Sequence, residues 1–299
     1  MSRVAIVSHD AGGAEILSSW LLRSDDLCSV VLEGPAVGIF DRKCIGIERL
    51  TLAEAVTNCD WVLCGASWAS NLERQAIKLG RKQGKKTVVF LDHWVNYKAR
   101  FQEIDGSVIY PDEIWVGDVE AQRIADAAFP NISVKLKINP YLEDLRSDLA
   151  QIETNKSSTN KVLILYVCEP IREHACSQYG NERHWGYTEE DAIQYFLENI
   201  ESLNLDIEHI TIRPHPSEDP DKYRWTEALA PALIRFGGIK SLIHETADAD
   251  IVVGCESMAL VVGLLADKRV ISCIPPGGNP CQLPQSEIEH MQNLVGMII

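Results

Sequence analysis

The segment at residues 210–221, ITIRPHPSEDPD, combines residue types that bind phosphate with a spacing that exposes them. Its β-branched start predicts a buried strand, and Pro214 and Pro216 cannot donate to a sheet ladder, so the strand must end there. The loop then presents Arg213 and His215 at the carboxyl end of a strand, where open α/β sheets bind ligands. A guanidinium and an imidazole are both natural donors to phosphate. The alternative is a surface loop whose arginine pairs with a nearby acid.

A second segment, DIVVGCESMAL at residues 250–260, has the pattern of a buried strand that runs into a helix. The strand is expected to end at Gly254, and Glu256 and Ser257 then begin the helix. Backbone amides at a helix N-terminus, together with a serine hydroxyl, predict an anion site. The alternative is that Ser257 only caps the helix. Neighbouring parallel strands would bring this segment and the histidine loop to one crevice.

The first strand of the chain is followed by His9, Asp10, Ala11, Gly12 and Gly13. The two glycines predict a tight turn that lets the backbone approach a ligand closely. We expect His9 or Asp10 to face a cleft, where a carboxylate would serve as a general base. The alternative is that Asp10 caps the following helix.

A further cluster, Asp92-His93-Trp94, follows another predicted strand. Asp92 and His93 form a second candidate acid/base pair, and Trp94 offers an aromatic face to a sugar ring. The alternative is that Trp94 and Tyr97 pack the edge of the sheet.

A long loop is expected between a strand at 162–167 and a helix near 191–200, and loops of this length are often functional. It contains the polar residues Arg172, Glu173, His174 and His184.

Short apolar runs alternate with helical stretches, which predicts an α/β protein with two Rossmann-like domains facing each other across a cleft. Strands are expected at 3–8, 30–33, 45–47, 61–64, 86–91, 113–116, 134–138, 162–167, around 239 and at 269–274. Later helices are expected near 223–233 and 285–294. The polar stretch ETNKSSTN predicts a linker. We therefore divide the chain into a first domain at 1–148, a linker at 149–160 and a second domain at 161–299, whose terminal helix is free to pack back on the first.

The composition limits the class of protein. A formal net charge of −15 disfavours nucleic-acid phosphates and anionic lipids as partners. No apolar run is long enough for a membrane span, and no secretory cleavage pattern follows the first residues, so a cytoplasmic protein is expected. The nine cysteines form no CxxC pair, which favours reduced, buried thiols over a metal site. Neither GxGxxG nor GxxxxGK[ST] is present, which argues against dinucleotide oxidoreduction and P-loop chemistry.

The histidine-proline pair at the end of a strand, with a downstream serine at a helix start, resembles GT-B glycosyltransferases. The resemblance is strongest to bacterial sialyltransferase-like and Kdo-transferase-like enzymes that use CMP-sugars, and it covers mainly residues 205–280. It implies that His215 binds the donor phosphate, that Ser257 caps the phosphate or its cytidine side, and that Glu256 accepts from ribose hydroxyls. Ser257 stands alone here, whereas that group often carries a pair of hydroxyl residues.

The resemblance further implies that the acceptor and the catalytic base come from the first half, and that neither a metal nor another cofactor is needed. The expected function is transfer of a nonulosonic-type sugar (sialic, pseudaminic, legionaminic or Kdo-like) from CMP to a bacterial surface glycan. The alternatives are a UDP-sugar epimerase or hydrolase of the same fold and a non-catalytic GT-B-like partner subunit. Catalytic candidates are Asp10, His9 and Asp92. Donor-binding candidates are Arg213, His215, Pro216, Glu256, Ser257 and Gly254, and acceptor-binding candidates are Gly12, Gly13, His93 and Trp94.

Overall fold

The computed structural model describes residues 1–67, 70–103, 105–153 and 160–296. The chain divides into two compact units, Met1–Asp144 and Leu145–Ile299. Of the predicted linker at 149–160, the first three residues end a helix, Pro140–Gln151, and residues 154–159 lie outside the described residues.

The first unit is a parallel sheet with helices. Its strands are β1 (Arg3–Ser8), β2 (Leu27–Leu32), β3 (Glu48–Arg49), β4 (Trp61–Cys64), β5 (Lys86–Phe90), β6 (Glu113–Val116) and β7 (Ser133–Leu136). Its helices are α1 (Ala11–Leu21), α2 (Pro35–Lys43), α3 (Leu52–Asn58), α4 (Leu72–Lys82) and α5 (Val119–Ala128), with a 3-10 turn at Ala99–Phe101. A further helix, α6 (Pro140–Gln151), begins in the first unit and ends in the second. The strand order is β3-β2-β1-β4-β5-β6-β7.

The second unit repeats the scheme. Its strands are β8 (Val162–Val167), β9 (Ile207–Arg213), β10 (Ile234–Phe236), β11 (Ile251–Gly254), β12 (Arg269–Ser272) and β13 (Ile288–His290). Its helices are α7 (Ile171–Tyr179), α8 (Glu189–Glu198), α9 (Leu242–Asp248), α10 (Met258–Leu265) and α11 (Met291–Gly296), with 3-10 turns at Ile200–Leu203 and Arg224–Ala228. The strand order is β10-β9-β8-β11-β12-β13. Across the described residues, no helix is both long and apolar enough to span a bilayer.

The apolar sequence of the central strands explains why they are central. In β1 every residue after Arg3 is buried, and the last four residues of β8 are buried as well. Strands covered by helices on both faces lose the in-out alternation of half-exposed strands and become continuously apolar. The two sheets therefore each carry their own core, one around Leu63 and Phe90 and the other around Tyr166 and Phe196.

Each sheet has one point where the strand order reverses, between β1 and β4 in the first unit and between β8 and β11 in the second. The connections leave these strands toward opposite sides, which opens a crevice at their carboxyl ends, where ligands of open α/β sheets bind. His9 and Asp10 follow β1, and Glu256 and Ser257 follow β11. Two of the segments that the sequence analysis singled out therefore lie at these reversals of strand order, which we call switch points.

The predicted fold class is confirmed, and the strands expected at 3–8, 61–64, 113–116 and 162–167 have the expected bounds. The predicted turn at Gly12 and Gly13 was wrong, because both glycines lie in the first turn of α1. The expected long loop after β8 was also wrong in part, since α7 forms within it.

The remaining errors concern short apolar runs in the sequence. The strands expected at 45–47 and around 239 do not form, and Ile45 and Ile239 are 92% and 97% exposed. Their neighbours β3 and β10 pair instead. The helix expected near 223–233 is a 3-10 turn followed by β10. The C-terminal helix begins only at Met291, because residues Ile288–His290 pair with β12 as an edge strand.

Two helical glycines of the first unit give a matched test of packing. A Cβ at Gly80 in α4 would lie 2.7 Å from Thr87 Cγ2 and 3.3 Å from Val62 Cγ2, whereas a Cβ at Gly38 in α2 would meet nothing within 4 Å. We predict that Gly80→Ala lowers the free energy of unfolding by about 1–3 kcal/mol through overpacking. Gly38→Ala should raise it by up to about 1 kcal/mol, since alanine favours helix. Chemical denaturation measures both, and equal effects would contradict the close α4–sheet packing.

Candidate functional site

His215 is held by its own loop in one tautomer. Its backbone N–H donates to Glu218 Oε2 at 2.9 Å, and its Nδ1 accepts from the Ser217 N–H at 3.2 Å. A backbone amide can only donate, so Nδ1 is the acceptor and the ring proton sits on Nε2. Burial lowers the pKa of His215, as does nearby His174, while Glu218 raises it. At neutral pH His215 is therefore an uncharged donor through Nε2.

Arg213 is directed elsewhere. Its guanidinium donates to Glu245 Oε2 at 2.7 Å and to the Lys240 carbonyl at 2.8 Å. The arrangement is the arginine–acid pair that the sequence left open as the alternative. Pro216 is exposed and, like Arg213, does not line the cavity that contains His215.

The end of β11 is tightly packed and leads directly into α10. A Cβ at Gly254 would lie 2.7 Å from Val167 Cγ2, so glycine here permits β11 to approach β8. Ser257 is the N-cap of α10, and its Oγ accepts from the Ala259 N–H at 3.1 Å. Glu256 Oε2 accepts from the Gln282 N–H at 2.9 Å, and burial raises the pKa of Glu256. Ser257 therefore has the capping role that the sequence left open.

Two backbone amides in the turn just before the N-cap of α10 are already bound by a carboxylate. Glu169, which follows β8, accepts from the Cys255 and Glu256 N–H groups at 2.9 and 2.8 Å through a single oxygen, Oε1. Burial raises the pKa of Glu169 to about 7, and the two amides act in the opposite direction. The crevice between β8 and β11 is thus closed at its base by a carboxyl group that changes charge near neutral pH.

These groups share a cavity of about 280 Å³ at the switch point of the second unit. It is lined by Glu169, Pro170, Ile171, His174, Trp185, Tyr187, His215, Glu256, Ser257 and Asn279. The structure therefore brings the predicted His215, Glu256 and Ser257 together. Sequence reasoning did not single out Glu169, Trp185, Tyr187 or Asn279. The available signal for Glu169 was its position directly after β8, the first strand of the second sheet.

A half-buried lysine connects the two segments that carry the cavity's histidines. Lys222 Nζ donates to Glu189 and, at 2.7 Å, to Glu218 Oε1. The second oxygen of Glu189 accepts from the Arg172 N–H in α7 at 2.8 Å, and that of Glu218 accepts from the His215 N–H. Burial opposes the charge of Lys222, but these two carboxylates raise its pKa. One cation thus fixes α7, which carries His174, relative to the loop that carries His215.

We predict that Lys222→Met destabilises the second unit by about 1–3 kcal/mol. The substitution leaves two carboxylates that are each at most 3% exposed without their cation. The cost is below the range for fully buried pairs, because Lys222 keeps some contact with water.

Lys240→Met is the matched control, since Lys240 pairs with Asp248 on the surface and should cost less than about 0.5 kcal/mol. Thermal unfolding compares the two variants. Equal melting temperatures would show that the Lys222 network does not order these segments.

The first unit has a comparable arrangement at its own switch point. The His9 N–H donates to Glu73 Oε1 at 2.8 Å, and His9 Nδ1 lies 2.7 Å from Asp10 Oδ1. Asp10 occupies the N-cap position of α1, yet its side chain makes no capping hydrogen bond. Glu73 Oε2 and Ser8 Oγ are buried and have no hydrogen-bond partner among the described residues. The hydrogen bond to buried Glu73 thus fixes the backbone of the segment that carries His9 and Asp10.

Asp92 packs against the first turn of α1, which contains Gly12 and Gly13. Asp92 Oδ1 accepts from Arg100 Nη1 at 2.5 Å, and a Cβ at Gly12 would lie 2.1 Å from Asp92 Oδ2, so glycine makes room for this carboxylate. A Cβ at Gly13 would lie 3.2 Å from the Gly65 Cα. The two glycines therefore serve close packing within the unit.

His93 and Trp94 are both largely enclosed. Burial lowers the pKa of His93. Trp94 is 6% exposed, and its Nε1 donates to Asp118 Oδ2 at 2.9 Å. Tyr97 stacks on Phe129, with ring centroids 6.3 Å apart. Trp94 and Tyr97 therefore pack the sheet edge, as the sequence alternative described, and Trp94 presents no open face to a sugar.

Glu73 generates a pH-dependence of stability. Burial raises its pKa from 4.5 to about 7, so the folded protein holds a proton that the unfolded chain releases. This contribution is fully present below pH 4.5 and is lost as the pH rises through 7. We predict that wild type loses up to about 3 kcal/mol relative to Glu73→Gln between pH 5 and pH 8.

The measurement is the melting temperature of both proteins across that pH range. Glu48→Gln, at an exposed position, is the control and should follow wild type. A Glu73→Gln curve parallel to wild type would contradict a protonated Glu73.

No protein-family model and no curated protein matches this sequence. The architecture, however, is similar to solved structures. UDP-GlcNAc 2-epimerase from Methanocaldococcus jannaschii is 8% identical, with a TM-score of 0.59 over 99% of this chain and 91% of that one. A putative UDP-N-acetylglucosamine 2-epimerase from Listeria monocytogenes is 12% identical, with a TM-score of 0.60 over 99% of this chain and 87% of that one. Identities this low establish the fold alone. The chain has two Rossmann-like domains of the GT-B fold.

Proposed function

We propose that this protein is a glycosyltransferase that moves a nonulosonic-type sugar from a CMP ester to a surface-glycan acceptor, without a metal. The observation that carries the proposal is the cavity between β8 and β11, where His215 presents Nε2–H beside Glu256 and Ser257. A neutral donor fixed by its own loop is suited to a phosphate oxygen. The resemblance of the histidine-proline loop to CMP-sugar enzymes supports the choice of donor.

The charge of the cavity favours a donor with one phosphate. Its lining contains two carboxyl groups, Glu169 and Glu256, and two imidazoles, His174 and His215, but within the described residues no lysine or arginine. A nucleoside diphosphate ester would place two phosphate charges beside these carboxyls without a permanent cation. A CMP ester places one phosphate charge there, which costs less beside these carboxyls than two, and the other negative charge of a nonulosonic donor is the carboxylate of its sugar.

The aromatic residues of the cavity suit a nucleoside. Trp185 and Tyr187 line it on the side of the segment before α8. Trp185 packs edge-on against His184, which itself stacks on Tyr179 with ring centroids 3.6 Å apart. Aromatic faces held in this way support stacking of a base. Glu256 would then accept from the ribose hydroxyls.

The proposed reaction assigns the proton transfer to the first unit. Asp10, paired with His9, would accept the proton of the acceptor hydroxyl as its oxygen forms a bond with the anomeric carbon. The bond from that carbon to the phosphate oxygen breaks, and CMP leaves with the electron pair. His215 Nε2–H would stabilise the charge that grows on the phosphate. Asp92, held by Arg100, is the alternative base.

A second candidate is a UDP-sugar epimerase or hydrolase. It is favoured by the similarity in fold to the two UDP-GlcNAc 2-epimerase structures described above. In that case the same cavity would hold a uridine nucleotide. The base of the preferred nucleotide therefore separates the two functions.

Calorimetric titration with CMP, CDP, UDP and GDP tests the proposal. We expect CMP to bind most tightly, and His215→Ala to weaken its binding by about 1.5–3 kcal/mol, the range for a hydrogen bond to a charged group. This equals a loss of roughly 10- to 150-fold in affinity. His244→Ala is the control, because His244 is exposed on α9 outside the cavity and should not change binding.

Other results would redirect the assignment. A preference for UDP would replace the transferase with the epimerase. Failure of all four nucleotides to bind would overturn both enzymes and leave a non-catalytic partner subunit.

A further inference from the structure

Glu169 occupies the place where an anionic ligand would bind α10. Its Oε1 accepts from both the Cys255 and Glu256 amides, at 2.9 and 2.8 Å. Free N–H groups at a helix start attract phosphate through their partial positive charge. In this protein an internal carboxylate already accepts from two amides beside that helix start, those of Cys255 and Glu256 in the turn that leads to the N-cap Ser257. A phosphate that is to gain these hydrogen bonds must therefore replace Glu169 Oε1.

The surroundings of Glu169 do not favour its negative charge beside a second anion. The groups facing it are Glu256 and Cys255 after β11, Tyr187 before α8, Cys168 at the end of β8, and Cys281 after β12. His174 and His215 line the same cavity from α7 and from the loop after β9. None of these carries a permanent positive charge. An anion entering here would meet the Glu169 carboxylate without screening from a fixed cation.

We propose that Glu169 is a proton-coupled ligand-binding residue, which releases the Cys255 and Glu256 amides before α10 to the ligand's phosphate by becoming a carboxylic acid. The inference rests on the proposed function in that an anionic nucleotide binds in this cavity. In this step one solvent proton adds to the Glu169 carboxylate, and two hydrogen bonds transfer from Oε1 to a phosphate oxygen. No covalent bond of the ligand changes, so the step belongs to binding and not to catalysis.

The acid–base behaviour of Glu169 makes the exchange accessible near neutral pH. Burial raises its pKa to about 7, and loss of the two amides together with arrival of a phosphate raises it further. The free protein is then mostly ionised at pH 8, whereas the complex is protonated. Nucleotide binding at pH 8 should therefore take up protons, and affinity should fall as the pH rises above 7.

The test is calorimetry at pH 8 in two buffers of different ionisation enthalpy, which counts the protons taken up on binding. The probes are CMP and, separately, inorganic phosphate. We expect wild type to take up between about 0.5 and 1 proton per CMP from Glu169. Glu169→Gln keeps an oxygen that accepts from the amides but cannot titrate. It should lose at least half of the uptake and bind CMP roughly tenfold more tightly at pH 8, since one pKa unit is a factor of ten.

Two controls isolate Glu169. Glu182→Gln changes an exposed acid of the same segment outside the cavity and should keep wild-type uptake. His215→Ala measures the protons that the histidine contributes. If Glu169→Gln does not fold, the wild-type dissociation constant from pH 6 to 9 serves instead, and a flat profile overturns the inference.

The outcomes separate this inference from the proposed function. CMP binding with unchanged proton uptake in Glu169→Gln overturns the role of Glu169 but leaves the nucleotide site. Phosphate binding with Glu169-dependent uptake, without binding of any nucleotide, keeps the role of Glu169 but overturns the proposed function. Absence of binding by both probes overturns both.

Discussion

The hydrogen bonds from the turn before α10 to Glu169 are the interaction on which the second unit's site depends. β8 and β11 are adjacent parallel strands, and Glu169 joins the two segments that follow them. Glu169 does this with one oxygen shared by two backbone amides. Its position sets the base of the cavity, and the Lys222 network sets the two histidine-bearing segments above it. The site is therefore a set of hydrogen-bonded polar groups at the carboxyl ends of the strands of an apolar sheet.

The first unit meets the same constraint with a similar solution. There Glu73, from α4, accepts from the His9 amide after β1 and so joins the segments that follow β4 and β1. In both units the bridging carboxyl is buried enough that its pKa rises to about 7. A carboxylate is well suited to receive backbone amides, but its burial costs free energy when it is charged. Each switch point thus contains an enclosed acid whose charge changes near neutral pH.

The sequence predicts the sheets well, because continuous β-branched runs have few other ways to bury their side chains. It also predicts His215, Glu256 and Ser257 as neighbours, since all three follow strands at the same edge of one sheet. Side-chain direction was less predictable. Whether Arg213 faces a ligand or Glu245 depends on what α9 brings nearby, which is a tertiary contact without a local signal.

The strands predicted in short segments were wrong for a related reason, since strand pairing also depends on tertiary contacts. Ile45 and Ile239 have strand propensity, but β3 begins only at Glu48 and β10 ends at Phe236. Neither isoleucine therefore lies in the segment that pairs with the neighbouring strand. Gly12 and Gly13 had the composition of a turn, yet both lie in α1, where the close approach of Asp92 and Gly65 leaves no room for a larger side chain. Glycine content alone does not distinguish a turn from close packing.

A crystal structure with 5-bromo-CMP would show directly whether CMP binds in the cavity between β8 and β11, because bromine marks the base by anomalous scattering and the phosphate is visible beside it. We predict bromine next to Trp185 and Tyr187, with the phosphate within hydrogen-bonding distance of His215 Nε2. Bromine density in the crevice of the first unit, or at any site away from the cavity between β8 and β11, would contradict it.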